Sequence, residues 1–287
     1  MIFLVIFGVL QNLFRLAIVR IPYVQGVFKE VQSGTLTPAF GLIFESSFVV
    51  IIFLATFIMS RIERRSVFSY GLPFRGAFGK LFWQGALWGL VMEAAVMLLI
   101  YAFGGFTFGG LALAGGALVG FAVVWALNFI LVGIAEEFTF RGYAQFTLTT
   151  GVGFWPAALI TSAIFGAIHL GNPGEGWIGA VEVFIFGMFA CFTLRRTGNL
   201  WFAVGFHAAG DYAETFLFSV PDSGMLAKGH LINSSLHGSK WLTGGTIGPE
   251  GSLIDLALFA VVFVLFALVY RKKDQTTAPA IPSSIAV

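Results

Sequence analysis

Apolar runs long enough to cross a lipid bilayer recur along almost the whole of this 287-residue chain. An α-helix needs roughly 20 consecutive apolar residues to span the hydrocarbon core. Hydrophobic residues make up 58% of the sequence and charged residues only 10%, whereas a soluble domain carries about a quarter charged residues. The polar residues are too few to cover a soluble surface. The sequence therefore predicts an all-α integral membrane protein, a polytopic bundle of about eight transmembrane helices.

The apolar runs divide the chain into regions as well as helices. The first run contains Arg15, so it is also compatible with a helix that lies along the membrane surface. We predict N-terminal spans in 1–116, a motif-bearing core in 117–218, an outer polar loop in 219–252, a last span in 253–273 and a disordered tail in 274–287. The candidate transmembrane helices are 2–19, 38–60, 82–103, 117–140, 154–170, 177–195, 199–218 and 253–270.

The distribution of Lys and Arg predicts the orientation, because cytoplasmic loops of membrane proteins are enriched in these residues. With both termini inside, eleven basic residues lie on the inner side and four on the outer side. This bias favours an N-in, C-in protein with loop 219–252 outside. The inner residues are Arg61, Arg64, Arg65, Arg75, Lys80, Arg141, Arg195, Arg196, Arg271, Lys272 and Lys273, and the outer ones are Arg20, Lys29, Lys228 and Lys240.

Charge and cysteine content exclude several classes of function. The net charge is only +2, which predicts no nucleic-acid partner. Cys191 is the sole cysteine, so the chain forms no internal disulfide and no cysteine-based zinc site. The first residues lack a basic region and a small-residue cleavage site, so we interpret them as a retained segment rather than a signal peptide.

Ionisable residues inside the apolar runs are the candidates for function, because a charge at a helix centre costs about 2.5–3.5 kcal/mol on insertion scales. The stretch AEEFTFRG at 135–142 carries three such charges. Glu137 and Arg141 are four residues apart and share a helix face, so they are expected to form an ion pair. Glu136 is turned about 100° away from Glu137 and is free to face something else.

Two further segments carry histidine at helical spacing. His169 ends FGAIH, four residues after Phe165, and His207 begins HAAGD, four residues before Asp211. If the fourth helix continues to about 149 and turns at GVG (151–153), Glu136 lies 16 residues before Val152 and His169 lies 17 after it. Those two positions are level in an antiparallel helix pair. His207 lies about 15 Å from the turn at 195–199, at 1.5 Å per residue, so all three groups share one depth if the GVG turn projects somewhat into the cytoplasm.

A glutamate beside one or two histidines in a dry cavity is a workable hydrolytic site. Glutamate acts as a general base toward water, and histidine binds that water or a metal, or donates to a developing oxyanion. Each group also has a purely structural interpretation. The Glu137–Arg141 pair serves equally as a helix clip, a buried histidine as a hydrogen-bonded core residue, and Phe165 as packing.

Four other intramembrane carboxylates have weaker patterns. None of them has a partner at helical spacing comparable to that of the residues above. Two of them lie on the sixth and seventh predicted helices and are expected to line a cavity if one exists there. These two are Glu182 and Glu214, and the remaining two are Glu45 and Glu93.

Three motifs in this order resemble those of a known family. EEFTFR fits E-E-x-x-x-R, FGAIH fits F-x-x-x-H, and HAAGD fits H-x-x-x-N/D. The sequence is similar to the CPBP intramembrane proteases, also called the CAAX protease or bacteriocin-processing (Abi) family, which includes the type II CAAX prenyl endopeptidases. The resemblance covers about 117–218 and implies a helical bundle in a bacterial inner (plasma) membrane, with a cavity reached from the cytoplasm and the membrane.

The resemblance also implies roles for individual residues in the hydrolysis of peptide or protein substrates. Glu136 would be the general base and His169 its partner in holding the water. His207 and Asp211 would stabilise the tetrahedral intermediate, and Glu137, Arg141 and Phe165 would support the site. The prenyl endopeptidases carry Asn at the position of Asp211. Ionised Asp only accepts hydrogen bonds, so Asp211 more plausibly orients His207, is itself protonated, or binds a metal.

The need for a metal and the choice of function remain open at this point. Family members are described both as metalloproteases and as glutamate-dependent enzymes without metal. Glu136, His169 and His207 would form an acceptable ligand set for zinc or another divalent metal, although their spacing is not H-E-x-x-H. The alternatives to a protease are a non-proteolytic membrane scaffold or bacteriocin immunity protein, and a proton-coupled transporter.

Overall fold

The chain is mostly helical in this computed structural model, which describes residues 2–32, 34–172 and 174–271. The predicted tail in 274–287 lies outside the described residues. Two π-helical segments, Phe138–Ala144 and Ala213–Leu217, interrupt the helical order. The helices are α1 Ile2–Ile18, α2 Pro22–Gln32, α3 Pro38–Ile62, α4 Lys80–Ala102, α5 Gly115–Glu137, α6 Gln145–Val152, α7 Phe154–His169, α8 Trp177–Thr197, α9 Trp201–Tyr212, α10 Lys240–Thr243 and α11 Leu253–Val269.

Four helices of the described chain are long and apolar enough to cross a membrane: Pro38–Ile62, Lys80–Ala102, Gly115–Val152 and Trp177–Thr197. The bent pair α1 and α2, with 109° between its two parts, brings the number to five if it counts as one span. The apolar helices α7 and α11 are shorter. An integral membrane bundle is therefore supported, while the count of about eight spans stays a prediction.

Loop 219–252 is more ordered than its Gly- and Ser-rich composition indicates. It contains the short helix α10 and a 3₁₀ turn at Pro249–Gly251. Four two-residue strands, which were not predicted, attach it to the rest. β1 (Thr35–Leu36) pairs in parallel with β3 (Leu226–Ala227), and β2 (Phe106–Thr107) pairs antiparallel with β4 (Ser235–Leu236). These pairings hold the loop against the α2–α3 and α4–α5 connections.

Helices α4 and α9 approach each other closely through glycine. Gly85 and Gly89 form the G-x-x-x-G sequence GALWG on α4, a pattern that lets membrane helices bring their backbones together. A Cβ added at Gly85 would lie 2.0 Å from the carbonyl oxygen of Phe202, and one at Gly89 would lie 2.1 Å from that of Phe206. This close crossing sets the position of α9, which carries His207.

Replacing Gly89 with alanine should destabilise the protein and reduce any activity that depends on α9. Because the added methyl group overlaps a backbone carbonyl, the helices must separate, and overpacking of this kind costs about 1–3 kcal/mol. Thermal unfolding in detergent measures the effect. Gly120→Ala on α5 is the matched control, because a Cβ there meets nothing within 4 Å. Equal melting temperatures for the two variants would contradict the importance of this contact.

Candidate active site

Glu136 and Glu137 end helix α5 directly before the π-helical segment. Within that segment Gly142 has non-helical dihedral angles, φ −83° and ψ −115°. A Cβ at Gly142 would lie 2.7 Å from a ring carbon of Phe138, so glycine relieves a crowded turn. The helix then resumes and ends at Val152, and Gly153 with φ 86° separates it from α7. The sequence-based placement of the turn at 151–153 is thus confirmed. The π-helical segment begins directly after the two glutamates, and such segments are frequent at functional sites.

The predicted Glu137–Arg141 ion pair is present and fully buried. Arg141 Nη1 lies 3.2 Å from Glu137 Oε1, and both side chains have 0% exposure. The guanidinium also stacks over the ring of Phe165, with 4.3 Å from its central carbon to the ring centroid. Phe165 therefore supports a buried cation through its π face, a role that the sequence alone did not distinguish from ordinary packing.

Glu137 does more than pair with Arg141, because it also holds His207. His207 Nδ1 lies 3.0 Å from the same Oε1 atom of Glu137. On the other side of the imidazole, Nε2 lies 3.8 Å from Glu136 Oε2 and 3.4 Å from Asp211 Oδ2. The sequence predicted a structural clip at Glu137, and the structure adds the orientation of the histidine ring.

His207 faces two carboxyl groups on its cavity side. Glu137 is already paired with Arg141, so Nδ1–H donates to it and fixes that end of the ring. Nε2 then faces Glu136 and Asp211, and ionised carboxylates only accept hydrogen bonds. A proton on Nε2 or on one of these carboxyls is therefore stabilised by its neighbours. The group that carries it is able to donate to an oxygen atom that develops negative charge.

His169 is the last residue of α7 and lines the same cavity as Glu136 and His207. Its Nδ1 lies 2.8 Å from the carbonyl oxygen of Phe165, and its ring meets the Phe165 ring edge-on at 4.6 Å between centroids. Nδ1–H therefore donates to a backbone carbonyl, and Nε2 is left as an acceptor. Glu136 and His169, which were expected to lie level in a helix hairpin, line the same cavity. The histidine that approaches the Glu136 carboxylate, at 3.8 Å, is His207.

The cavity has a volume of about 260 Å³ and runs from these residues to loop 219–252. Asp222, Ser223, Met225 and Glu250 of the loop contribute to its lining. The cavity and the loop therefore share one end of the bundle. The outer location of the loop, the cytoplasmic access to the cavity and the orientation of the chain all stay predictions.

The lining is richer in carboxyl groups than the sequence indicated. Glu182 and Glu214 line the cavity, as expected from their helices. Glu45 and Glu93, which the sequence indicated without a partner at helical spacing, line it as well. Three others were missed. Asp222 and Glu250 lie in the loop, and Asp255 lies in the last predicted span, where the criterion of an ionisable residue in an apolar run would have found it.

The ligand set considered for a metal is Glu136, His169 and His207. In the part of the chain that the structure describes, no group of three His, Cys, Asp or Glu side chains converges in a way that could hold a metal ion. His169 Nδ1 and His207 Nδ1 are engaged by Phe165 and Glu137, which leaves Nε2 of each ring as the nitrogen able to bind a ligand. A metal at this site stays a prediction.

Residues 118–213 match the family model described as Rce1-like, type II CAAX prenyl endopeptidase Rce1-like. The match begins in α5, ends after Asp211 and so contains all three motifs. It confirms the resemblance to the CPBP/CAAX protease family, which is a family of proteases. No curated protein matches the chain.

Proposed function

We propose that this chain, whose residues 118–213 match the CAAX-type proteases, is an intramembrane endopeptidase that hydrolyses peptide bonds with a water activated by Glu136. The observation that carries the proposal is the position of His207, held by Glu137 on one side and facing Glu136 and Asp211 on the other. The two adjacent glutamates thereby have separate tasks. Only Glu136 faces the cavity, where a substrate would bind.

Exposure supports Glu136 as the general base. Its side chain is 25% exposed, whereas that of Glu137 is completely buried and engaged by two partners. A base must come within hydrogen-bond reach of the water whose proton it takes. Glu136 meets this requirement from the cavity wall, and Glu137 does not.

His169 is suited to hold the same water. With Nδ1–H donated to the carbonyl of Phe165, its Nε2 accepts a hydrogen bond from the water. The other proton of the water points at Glu136, which leaves an oxygen lone pair free to attack the carbonyl carbon of the substrate. Glu136 takes a proton as the C–O bond forms and returns it to the leaving nitrogen as the C–N bond breaks.

His207 and Asp211 are suited to stabilise the oxyanion rather than to activate the water. The proton between His207 Nε2 and Asp211 is available for the oxyanion of the tetrahedral intermediate, and preorganised donors of this kind contribute about 10²–10³-fold to rate. Glu137 and Arg141 fix the imidazole ring from the side away from the cavity. His207 therefore needs little reorganisation when negative charge develops on the oxyanion. Asp211 orients the imidazole, and its carboxyl group is one of the acidic groups beside the ring.

Cleavage of a peptide library by the purified protein in detergent tests the proposal. His207→Ala should lower kcat/KM at least about 10²-fold, the effect of losing an oxyanion donor. Asp211→Asn should stay within about tenfold of the original protein, because an amide can also donate to the oxyanion. Asp211→Ala is the matched comparison and should lose more. If the original protein cleaves nothing, the protease function fails and the scaffold or transporter alternatives take its place. If His207→Ala cleaves normally, His207 has no role in the mechanism.

A further inference from the structure

The cavity that contains the catalytic candidates is strongly acidic. Nine carboxyl groups line it, and the only basic groups that the described residues place there are the two histidines. Arg141, the nearest guanidinium, is fully buried behind Glu137 and does not face the cavity. The excess of carboxyls has no positive counterpart among the described residues of the lining.

Glu93 and Glu214, two of the carboxyls that line the cavity, each have a buried oxygen atom without a hydrogen-bond partner among the described residues. Glu93 is 8% exposed and Glu214 is 6% exposed. Oε1 of each makes no hydrogen bond with any residue that the structure describes. A buried polar atom without a partner costs about 1–3 kcal/mol, and more when the group is charged. Such atoms at the wall of a cavity indicate a ligand that supplies donors.

Two loop residues, Asp222 and Glu250, complete the acidic surface, and a hydrogen bond orients each of their carboxyl groups. Asp222 Oδ2 accepts a hydrogen bond of 2.8 Å from Thr215 Oγ1. Glu250 Oε1 accepts one of 2.7 Å from the backbone N–H of Ser223. Burial raises the pKa of both carboxyls, and neighbouring carboxyls raise it further, whereas the hydrogen bonds from Thr215 and Ser223 lower it.

We propose that Glu93, Glu214, Asp222 and Glu250, which we call the acidic wall, bind a basic side chain of the substrate peptide. The proposal rests on the proposed endopeptidase function and specifies its substrate class: polypeptides with Lys or Arg within a few residues of the cleaved bond. A lysine ammonium or arginine guanidinium supplies several donors and a positive charge. It would satisfy the two unpartnered oxygens and offset the repulsion among the four carboxyls.

A peptide side chain fits the acidic wall better than an inorganic cation does. The described residues present no group of three side chains able to coordinate a metal ion, so the carboxyls are near one another without converging on one point. A long, flexible side chain with a spread of donors suits such a surface, whereas a small cation requires converging ligands. The acidic wall also lines the same cavity as Glu136, so a bound side chain would bring its own backbone toward the proposed base.

Capture of peptides from a randomised pool tests the acidic wall without depending on cleavage. The immobilised Glu136→Gln protein in detergent, at physiological salt, is mixed with the pool, and the retained peptides are identified by mass spectrometry. We expect enrichment of Lys- and Arg-containing peptides by about tenfold, within the range that electrostatic complementarity supplies. Because the chain carries a net charge of +2, non-specific attraction would favour acidic peptides instead.

Two further variants in the same background decide whether the enrichment comes from the acidic wall. Asp222→Asn/Glu250→Gln changes only loop residues and should remove the enrichment. Glu30→Gln is the matched control: this carboxylate is 48% exposed, lies on α2 outside the lining of the cavity and pairs with Lys228, and its replacement should leave the enrichment intact.

Each outcome has a separate meaning for the two proposals. Absence of enrichment, or enrichment that persists in the Asp222→Asn/Glu250→Gln protein, would overturn the acidic wall. Enrichment that disappears in that variant supports it. If basic peptides are captured but the unmodified protein cleaves no peptide, the acidic wall stands as a binding site and the endopeptidase function fails.

Discussion

Glu136→Gln should abolish peptide hydrolysis while leaving the fold intact. Glutamine keeps the size and most of the polarity of glutamate, but it cannot accept a proton from water. The loss of a general base lowers kcat/KM by about 10²–10⁴-fold. Because the Glu136 side chain is partly exposed to the cavity and its nearest contact is the 3.8 Å approach to His207, the melting temperature should change little.

The comparison with two other glutamates sharpens this prediction. Glu30→Gln, at an exposed position outside the cavity lining, should retain both activity and stability. Glu137→Gln should lower both together, since Glu137 pairs with Arg141 and holds His207. Hydrolysis at the original rate by Glu136→Gln would remove Glu136 from the mechanism, and loss of stability equal to that of Glu137→Gln would assign it a structural role instead.

Arg141→Met should cause the largest loss of stability among single substitutions at this site. The guanidinium is completely buried, pairs with Glu137 and stacks on Phe165. Its removal leaves the buried Glu137 carboxylate without its cation, and breaking a buried ion pair in this way costs about 3–5 kcal/mol. The fall in melting temperature in detergent, compared with that of Arg195→Met at an exposed position, measures the effect.

A double-mutant cycle separates the ion pair from the space that Arg141 fills. Arg141→Met/Glu137→Gln removes the uncompensated charge as well as its partner, so it should be more stable than Arg141→Met alone. Residues in direct contact usually show such non-additivity, with interaction energies of about 0.5–3 kcal/mol. Additive effects of the two substitutions would mean that the packing of Arg141 on Phe165, and not its charge, stabilises this part of the helix.

Contacts within one helix were predictable, because helix geometry alone determines them. The pairs Glu137–Arg141 and His207–Asp211 follow from spacing of four residues, and both are present at 3.2 Å and 3.4 Å. The contact between His207 and the two glutamates was not predictable in this form. It depends on the rotation of α9 against α5, which no spacing within either helix specifies.

The rotation of α9 follows from interhelical packing that the sequence analysis overlooked. Gly85 and Gly89 let α4 approach the backbone of α9 closely, and the G-x-x-x-G spacing in GALWG was a visible signal for it. The paired two-residue strands gave no comparable signal. A strand of two residues has no periodicity to recognise, and its pairing partner lies far away in the sequence.

The amino-acid sequence by itself determined the class of protein and the candidate residues of its site. The low charge content excludes a soluble fold, and three motifs in order, within the residues that match the protease family, name the ionisable side chains. Only the tertiary structure decided which of them meet. It joined Glu136 to His207 rather than directly to His169, assigned Glu137 to the histidine as well as to Arg141, and brought two loop carboxyls into the cavity. The physical reason is that spacing fixes contacts along one helix, whereas contacts between helices and loops depend on how their surfaces pack.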